Sequence, residues 1–151
     1  MKWMEVGFLQ NGQKFTIIGL EISYSKDKVA AILAGLDEHV KTILRYHLIF
    51  DFVFMAGVYP GIAALCMMAR NKLAAPVTRK ILFVFAVLQI VAWGSDIFEN
   101  YCLLRWIKNP AIGNDFNFYH YVVYAKWIIA LAAALFAIPI VLRKRTMLKK
   151  I

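Results

Sequence analysis

The residues from Lys80 to Trp106, "KILFVFAVLQIVAWGSDIFENYCLLRW", decide the fold of this chain. The stretch is mostly apolar up to Trp93, and as a whole it is long enough to cross a bilayer, which takes about 20 residues. Three polar residues, Asp96, Glu99 and Asn100, interrupt the second part. A charge at the centre of a membrane helix costs roughly 2.5–3.5 kcal/mol on insertion scales. The stretch therefore predicts a transmembrane helix whose last turns carry charges that need partners.

The composition of the whole chain also favours a membrane protein. Of its 151 residues, 62% are apolar, against about 45–50% in ordinary globular proteins. The formal charge is nevertheless +9, and clustered Lys and Arg in a hydrophobic chain are typical of integral membrane proteins. A basic chain can also bind nucleic acid, but apolar runs of this length do not fit that class, so nucleic acid is not expected as a partner.

Three segments are apolar over enough residues to span a membrane, at about residues 48–69, 81–104 and 119–142. Residues 1–47 contain no such run, and Ser25 is placed to cap a helix over about residues 26–46. Apolar residues share one face of that helix, which predicts an amphipathic helix lying on the membrane or against the bundle. We expect an all-α integral membrane helical bundle: a single membrane domain, residues 1–151, with three transmembrane helices and an N-terminal amphipathic or interfacial helix.

The distribution of Lys and Arg predicts the orientation. The loop between the first two spans and the tail, residues 143–151, are basic and carry no acid, whereas the loop between the last two spans has two basic residues and an opposing Asp115. The positive-inside rule puts the basic tail in the cytoplasm and residues 1–47 outside. Residue usage favours a bacterial inner membrane. The basic side chains of the tail either set this topology or bind anionic lipid headgroups, the candidates being Arg143, Lys144, Arg145, Lys149 and Lys150.

The ionisable residues of the three predicted spans fall at one depth. Spacings of three and four place Asp96, Glu99 and Asn100 on one helix face. Asp51 in the first span and Lys126 in the third lie near the same, outer end of the bundle. Two histidines, His47 and His120, lie near the same outer ends of the first and third spans. A paired and hydrogen-bonded charge is tolerable in hydrocarbon, so we predict that Lys126 is the charge partner of Asp96 or Glu99. One lysine does not neutralise three carboxylates, so one acid is protonated or another cation is present.

Three functions are compatible with this cluster. In the first, the acid–lysine network fixes helix packing in a non-enzymatic accessory or structural subunit, which associates with itself or with other membrane protein chains. In the second, a divalent metal makes the protein a membrane-embedded hydrolase of lipid; its candidate ligands are Asp51, Asp96, Glu99, His47 and His120. In the third, the acids relay protons or coordinate an ion as part of a transport component. The sequence contains no catalytic motif, and whether the protein is an enzyme is left open.

Four pieces of the sequence resemble an uncharacterised family of small bacterial integral membrane proteins. They are "IIGLEIS" (Ile17–Ser23), "FDFVFMAGVY" (Phe50–Tyr59), "SDIFENYCLL" (Ser95–Leu104) and "YAKW" (Tyr124–Trp127). The resemblance covers about residue 17 to the end. It implies that the characteristic polar positions are Glu21, Asp51, Tyr59, Asp96, Glu99, Asn100 and Lys126. The family usually has four spans, with an apolar helix before the "GLE" element. In this chain the segment before that element is too short and too polar to form such a helix.

Overall fold

The computed structural model describes residues 7–10 and 13–143, and most of them are helical. Four α-helices follow one another: α1 (Lys26–Ala34), α2 (Glu38–Lys72), α3 (Pro76–Lys108) and α4 (Asp115–Leu142). Before them lie an antiparallel ladder of two short strands, β1 (Leu9–Gln10) and β2 (Gln13–Lys14), and a π-helical turn, Gly19–Ser23. The predicted all-α helical bundle is therefore confirmed.

The three long helices α2, α3 and α4 are each long and apolar enough to cross a membrane. Each contains one of the predicted spans and continues beyond it, because the helical conformation extends into the polar residues at the ends of the apolar run. Most residues in the apolar window of each helix are not buried within the chain. The outward surfaces of the bundle are thus left for lipid or for another protein.

Short connections make consecutive long helices antiparallel neighbours, so that α2 and α4 run in the same direction. Only residues 73–75 join α2 to α3, and Pro76 occupies the first position of α3, where its missing N–H removes no helical hydrogen bond. Each of the three helices packs against the other two. We call the end where α2 begins, α3 ends and α4 begins the cluster end, and the end with the α2–α3 connection the loop end.

The prediction of one helix over about residues 26–46 is wrong, because the chain forms two helices there. The predicted cap is present, with the Ser25 hydroxyl oxygen accepting a hydrogen bond from the Lys28 N–H at 3.4 Å. Helix α1 then ends at Ala34, before Gly35, a residue that disfavours helix continuation. The Asp37 carboxylate accepts a hydrogen bond from the Val40 N–H at 2.8 Å and starts α2. The second half of the predicted amphipathic helix therefore belongs to the first spanning helix.

The N-terminal segment packs against the cluster end of the bundle. The apolar face of α1 buries Val29, Ile32 and Leu33. Phe8 and Leu20, from the parts before α1, are buried in the same core cluster as Leu103 and Tyr119 of the long helices. Of the two sequence-based alternatives, a helix on the membrane or one against the bundle, the contacts of α1 show the second.

Candidate functional site

The ionisable side chains of the long helices meet inside the cluster end. The Lys126 ammonium group on α4 forms ion pairs with Asp96 and with Glu99, both on α3. Lys126 is 5% exposed, Asp96 7% and Glu99 0%, so all three charges lie in the interior. The pairing that the sequence predicts for Lys126 is present with both acids.

Two hydrogen bonds extend this network to α2. The Tyr59 hydroxyl donates to Asp96 Oδ2 at 2.8 Å, and the Asn100 amide donates to Asp51 Oδ2 at 2.8 Å. Both bonds cross from α2 to α3. Because Asp96 also binds Lys126, its carboxylate contacts both other spanning helices. We call Asp51, Tyr59, Asp96, Glu99, Asn100, Lys126 and Glu21, described next, the polar network.

The two acids of α3 differ in how they are held. Asp96 accepts the Tyr59 hydrogen bond and pairs with Lys126. Within the described part of the chain, neither oxygen of Glu99 accepts a hydrogen bond of ordinary geometry, although Oε2 forms the ion pair with Lys126. The ion pair with Lys126 is therefore the main contact that compensates the burial of Glu99.

Glu21 joins the network from the π-helical turn. Its side chain is 8% exposed and lies within electrostatic range of Lys126, Asp96 and Asp51 and beside Glu99. Burial is the largest effect on this acid and raises the pKa of Glu21 to about 7. The Lys126 charge acts in the opposite direction and limits the rise.

The "GLE" sequence has a local reason for its glycine. A Cβ at Gly19 would lie 2.3 Å from Cζ of the Tyr24 ring, which no real side chain could do without moving that ring. The Gly19 N–H donates to the Thr16 hydroxyl oxygen at 3.0 Å, and the Tyr24 N–H donates to the Gly19 carbonyl at 2.8 Å. These contacts hold the turn that carries Glu21 into the bundle.

The two histidines lie in the cluster end, and His47 is within electrostatic range of Asp51. His47 is buried, with its ring centroid 5.7 Å from that of Phe8. His120 Nε2 lies 2.8 Å from the Ile22 carbonyl oxygen and so holds the π-helical turn against α4. Over residues 7–10 and 13–143, no three His, Cys, Asp or Glu side chains are arranged to hold a metal ion. The proposed set of Asp51, Asp96, Glu99, His47 and His120 therefore gains no support from the geometry.

Two buried polar residues were not singled out from the sequence. Gln89 is 2% exposed in the middle of α3, and its amide donates to the Phe85 carbonyl of the same helix at 3.1 Å. A glutamine inside "FVFAVLQIVAW" is itself a signal, because polar groups are rare at that depth. Tyr119 is 0% exposed in α4, and its hydroxyl has no hydrogen-bond partner among the described residues.

Part of the polar network faces a cavity of about 280 Å³ between α2 and α4. Glu21, Asp51, Asp96 and Lys126 line one end of it. The rest is lined by residues further along α2 and α4 toward the loop end, including Val58, Ile62, Ala130 and Ala134. The cavity is thus polar at one end and apolar at the other.

The basic tail lies almost entirely outside the described residues. Arg143 is exposed at the end of α4, and its carbonyl accepts a hydrogen bond from the Lys72 ammonium group at 3.3 Å. Lys144, Arg145, Lys149 and Lys150 fall outside the described ranges. Their assignment to lipid headgroups stays a prediction.

Comparison with family models, with curated proteins and with solved structures finds no match to this chain. The family resemblance thus stays a resemblance carried by four short pieces of sequence. The polar positions that it implies are nevertheless close together in space, since Glu21, Asp51, Tyr59, Asp96, Glu99, Asn100 and Lys126 all belong to the polar network.

Proposed function

We propose that this protein is a non-enzymatic accessory or structural subunit of a membrane, which associates with itself or with a larger membrane complex. The observation that carries this proposal is that the residues of the polar network bind one another within the chain. Lys126 binds two acids, Tyr59 binds one of them, and Asn100 binds Asp51. These contacts join α2, α3 and α4, as expected of groups whose role is to fix helix packing and register.

The low burial of the spanning helices supports association. A three-helix bundle leaves most of its apolar surface to lipid or to a partner, and here most residues in each apolar window are not buried. One face of α2 carries Gly57 and Gly61, four residues apart, and a Cβ added at either would meet no atom within 4 Å. Two small residues at this spacing let a second transmembrane helix approach closely, as in the GxxxG arrangement.

The occupant that fits this face best is α2 of a second copy of the chain. A symmetric contact places the same glycines opposite one another. The face around them is uncharged and includes Val53, which is 72% exposed, and Met68, which is 55% exposed. Van der Waals packing of backbones across such a surface drives helix association in lipid, where the hydrophobic effect gives little.

The proposal places the protein in a bacterial inner membrane, with the cluster end outside and the loop end in the cytoplasm. The connection at the loop end and the tail carry most of the basic residues near the spans, and this asymmetry supports the orientation through the positive-inside rule. In that orientation the polar network lies near the outer surface, and Gln89 lies deeper in the membrane.

The test measures the assembly state of the full chain in lipid. We expect purified protein, reconstituted in neutral lipid bilayers at low density, to form a species larger than one 17.3 kDa chain by single-molecule counting of an attached dye. Gly61→Leu should convert it to monomers. Gly94→Leu is the matched control, because Gly94 on α3 also has no atom within 4 Å of an added Cβ.

Two other outcomes distinguish association with another protein from no association through this face. A monomer in the purified bilayer but a larger, Gly61-dependent particle in nanodiscs cut from native membranes assigns the face to another protein. A monomer in both preparations, with no effect of Gly61→Leu, contradicts association through this face.

A further inference from the structure

The cavity between α2 and α4 has features that helix packing alone does not require. Its volume of about 280 Å³ is close to the lower end of the range for small-molecule sites. Phe54 and Leu131 line it and are 59% and 51% exposed, so it opens on the outer surface of the bundle between these two helices. In a membrane that surface faces the lipid, and a ligand would enter sideways from the bilayer.

The polar end of the cavity carries more acids than its lysine can balance. Lys126 is paired with Asp96 and Glu99. Two further carboxyl groups, Glu21 and Asp51, line the cavity, and within the described part of the chain neither has a cation at salt-bridge distance. Asp51 accepts a hydrogen bond from the neutral amide of Asn100, and Lys126 and His47 lie within electrostatic range of it. An added positive charge would therefore be stabilised at this end.

Aromatic side chains line the same cavity. Tyr59, Phe54 and Trp127 line the cavity, and the Lys126 ammonium nitrogen lies 5.6 Å from the centroid of the Trp127 ring. Carboxylates together with aromatic faces are the environment that recognises an alkylated ammonium group, because the ring faces attract a cation that needs few hydrogen bonds.

The opposite end fits a hydrocarbon chain. Val58 and Ile62 on α2 face Ala130 and Ala134 on α4, with no ionisable group among the residues that line this part. The two alanines keep the space open, since a longer side chain at either position would occupy it. A ligand with a charged head and an apolar tail therefore matches the cavity along its length.

We propose that this cavity binds a cationic amphiphile, an alkylammonium compound whose head lies between Asp51, Glu21 and the aromatic rings and whose tail lies along Ala130 and Ala134. The site is separate from the Gly57–Gly61 face. Its test therefore does not depend on the proposed association of the chain.

The experiment uses the purified full chain in an uncharged maltoside detergent and a decyltrimethylammonium probe with a photoreactive diazirine in its tail. We expect the crosslinks, located by mass spectrometry, to fall on residues 54–62 of α2 and 130–134 of α4. Unlabelled decyltrimethylammonium should compete with the probe. Decyl sulfate and decanol, which have the same tail with a negative or neutral head, should not.

Two variants separate the head and the tail. Asp51→Asn keeps the shape of the side chain and should lower the affinity for the probe at least about tenfold, because one charge partner of the head is lost. Ala134→Phe fills the apolar end and should abolish labelling there. Ala125→Phe is the control for the second change, since Ala125 is exposed on α4 and does not line the cavity. Size-exclusion profiles and melting temperatures establish that each variant is folded.

The proposal is overturned by equal competition from the three amphiphiles, by labelling outside the two segments, or by an unchanged affinity of Asp51→Asn. If Ala134→Phe does not fold, the Asp51→Asn result decides alone, because that substitution replaces a carboxylate by an amide of the same shape. Competition by decanol as strong as that by decyltrimethylammonium would assign the cavity to a neutral lipid instead.

Discussion

Lys126 on α4 and Asp96 on α3 form a buried ion pair at the centre of the cluster end. The second oxygen of the same carboxylate accepts the hydrogen bond of Tyr59 from α2. One aspartate thereby contacts both other spanning helices. A charge in hydrocarbon is tolerated when it is paired and hydrogen-bonded, so these contacts offset the cost of charges in an apolar helix.

Removing the Tyr59 hydroxyl should weaken the α2–α3 contact. We expect Tyr59→Phe to lower the free energy of unfolding in detergent by about 0.6 kcal/mol, and by no more than about 1.7 kcal/mol, the average and the largest value for hydrogen bonds between membrane helices. Denaturant titration followed by circular dichroism measures it. Tyr121→Phe is the control, since Tyr121 is 75% exposed. Equal effects of the two substitutions would mean that the bond to Asp96 contributes nothing.

Glu21 should make stability depend on pH. Burial raises its pKa from 4.5 to about 7 in the folded chain, while Asp51, Asp96, Glu99 and Lys126 face it from the three long helices. Below pH 4.5 the acid is protonated in both states and contributes nothing. Between pH 4.5 and 7 the unfolded chain loses the proton first, so folding weakens, and above pH 7 the full loss of about 3 kcal/mol is present.

The variant Glu21→Gln mimics the protonated acid and isolates this effect. Relative to the unsubstituted protein, it should be stabilised at pH 8 and nearly unchanged at pH 4.5, as measured by denaturant titration at both pH values. Glu38→Gln, at a carboxylate whose side chain is 79% exposed, is the control and should not reproduce the stabilisation. A difference between Glu21→Gln and the unsubstituted protein that does not change with pH would refute the burial argument.

The three spans and the meeting of Lys126 with the acids could be predicted from the sequence, because hydropathy sets the spans and charges at one depth must compensate. Other features depend on contacts that sequence spacing does not contain. The break between α1 and α2 at Gly35 follows from two local features, the glycine itself and the Asp37 cap. The apolar periodicity continues on both sides of the break and so predicts one continuous helix. The location of His47 beside Phe8 depends on a contact with a segment almost 40 residues earlier in the sequence. The cavity depends on the distance between α2 and α4, which hydropathy does not determine.

The orientation in the membrane can be measured with two single cysteines. In a variant in which Cys66 and Cys102 are replaced, we place a cysteine at Asn114, next to α4 at the cluster end, or at Asn71, near the loop end; both asparagines are exposed. An impermeant thiol reagent applied to intact cells should label position 114 only, with labelling of both after lysis as the control. Labelling of position 71 but not of 114 on intact cells would reverse the topology.

The central claim, that Lys126 holds the bundle together by pairing with the acids of α3, is tested most directly by a double-mutant cycle. Removing one partner of a buried ion pair costs about 3–5 kcal/mol, whereas removing both is nearly neutral. Lys126→Met should therefore destabilise the detergent-solubilised protein by that order. Adding Glu99→Gln or Asp96→Asn should restore part of the loss, giving a coupling energy in the cycle. Strictly additive losses in both double mutants would show that Lys126 does not stabilise these acids and would contradict the account.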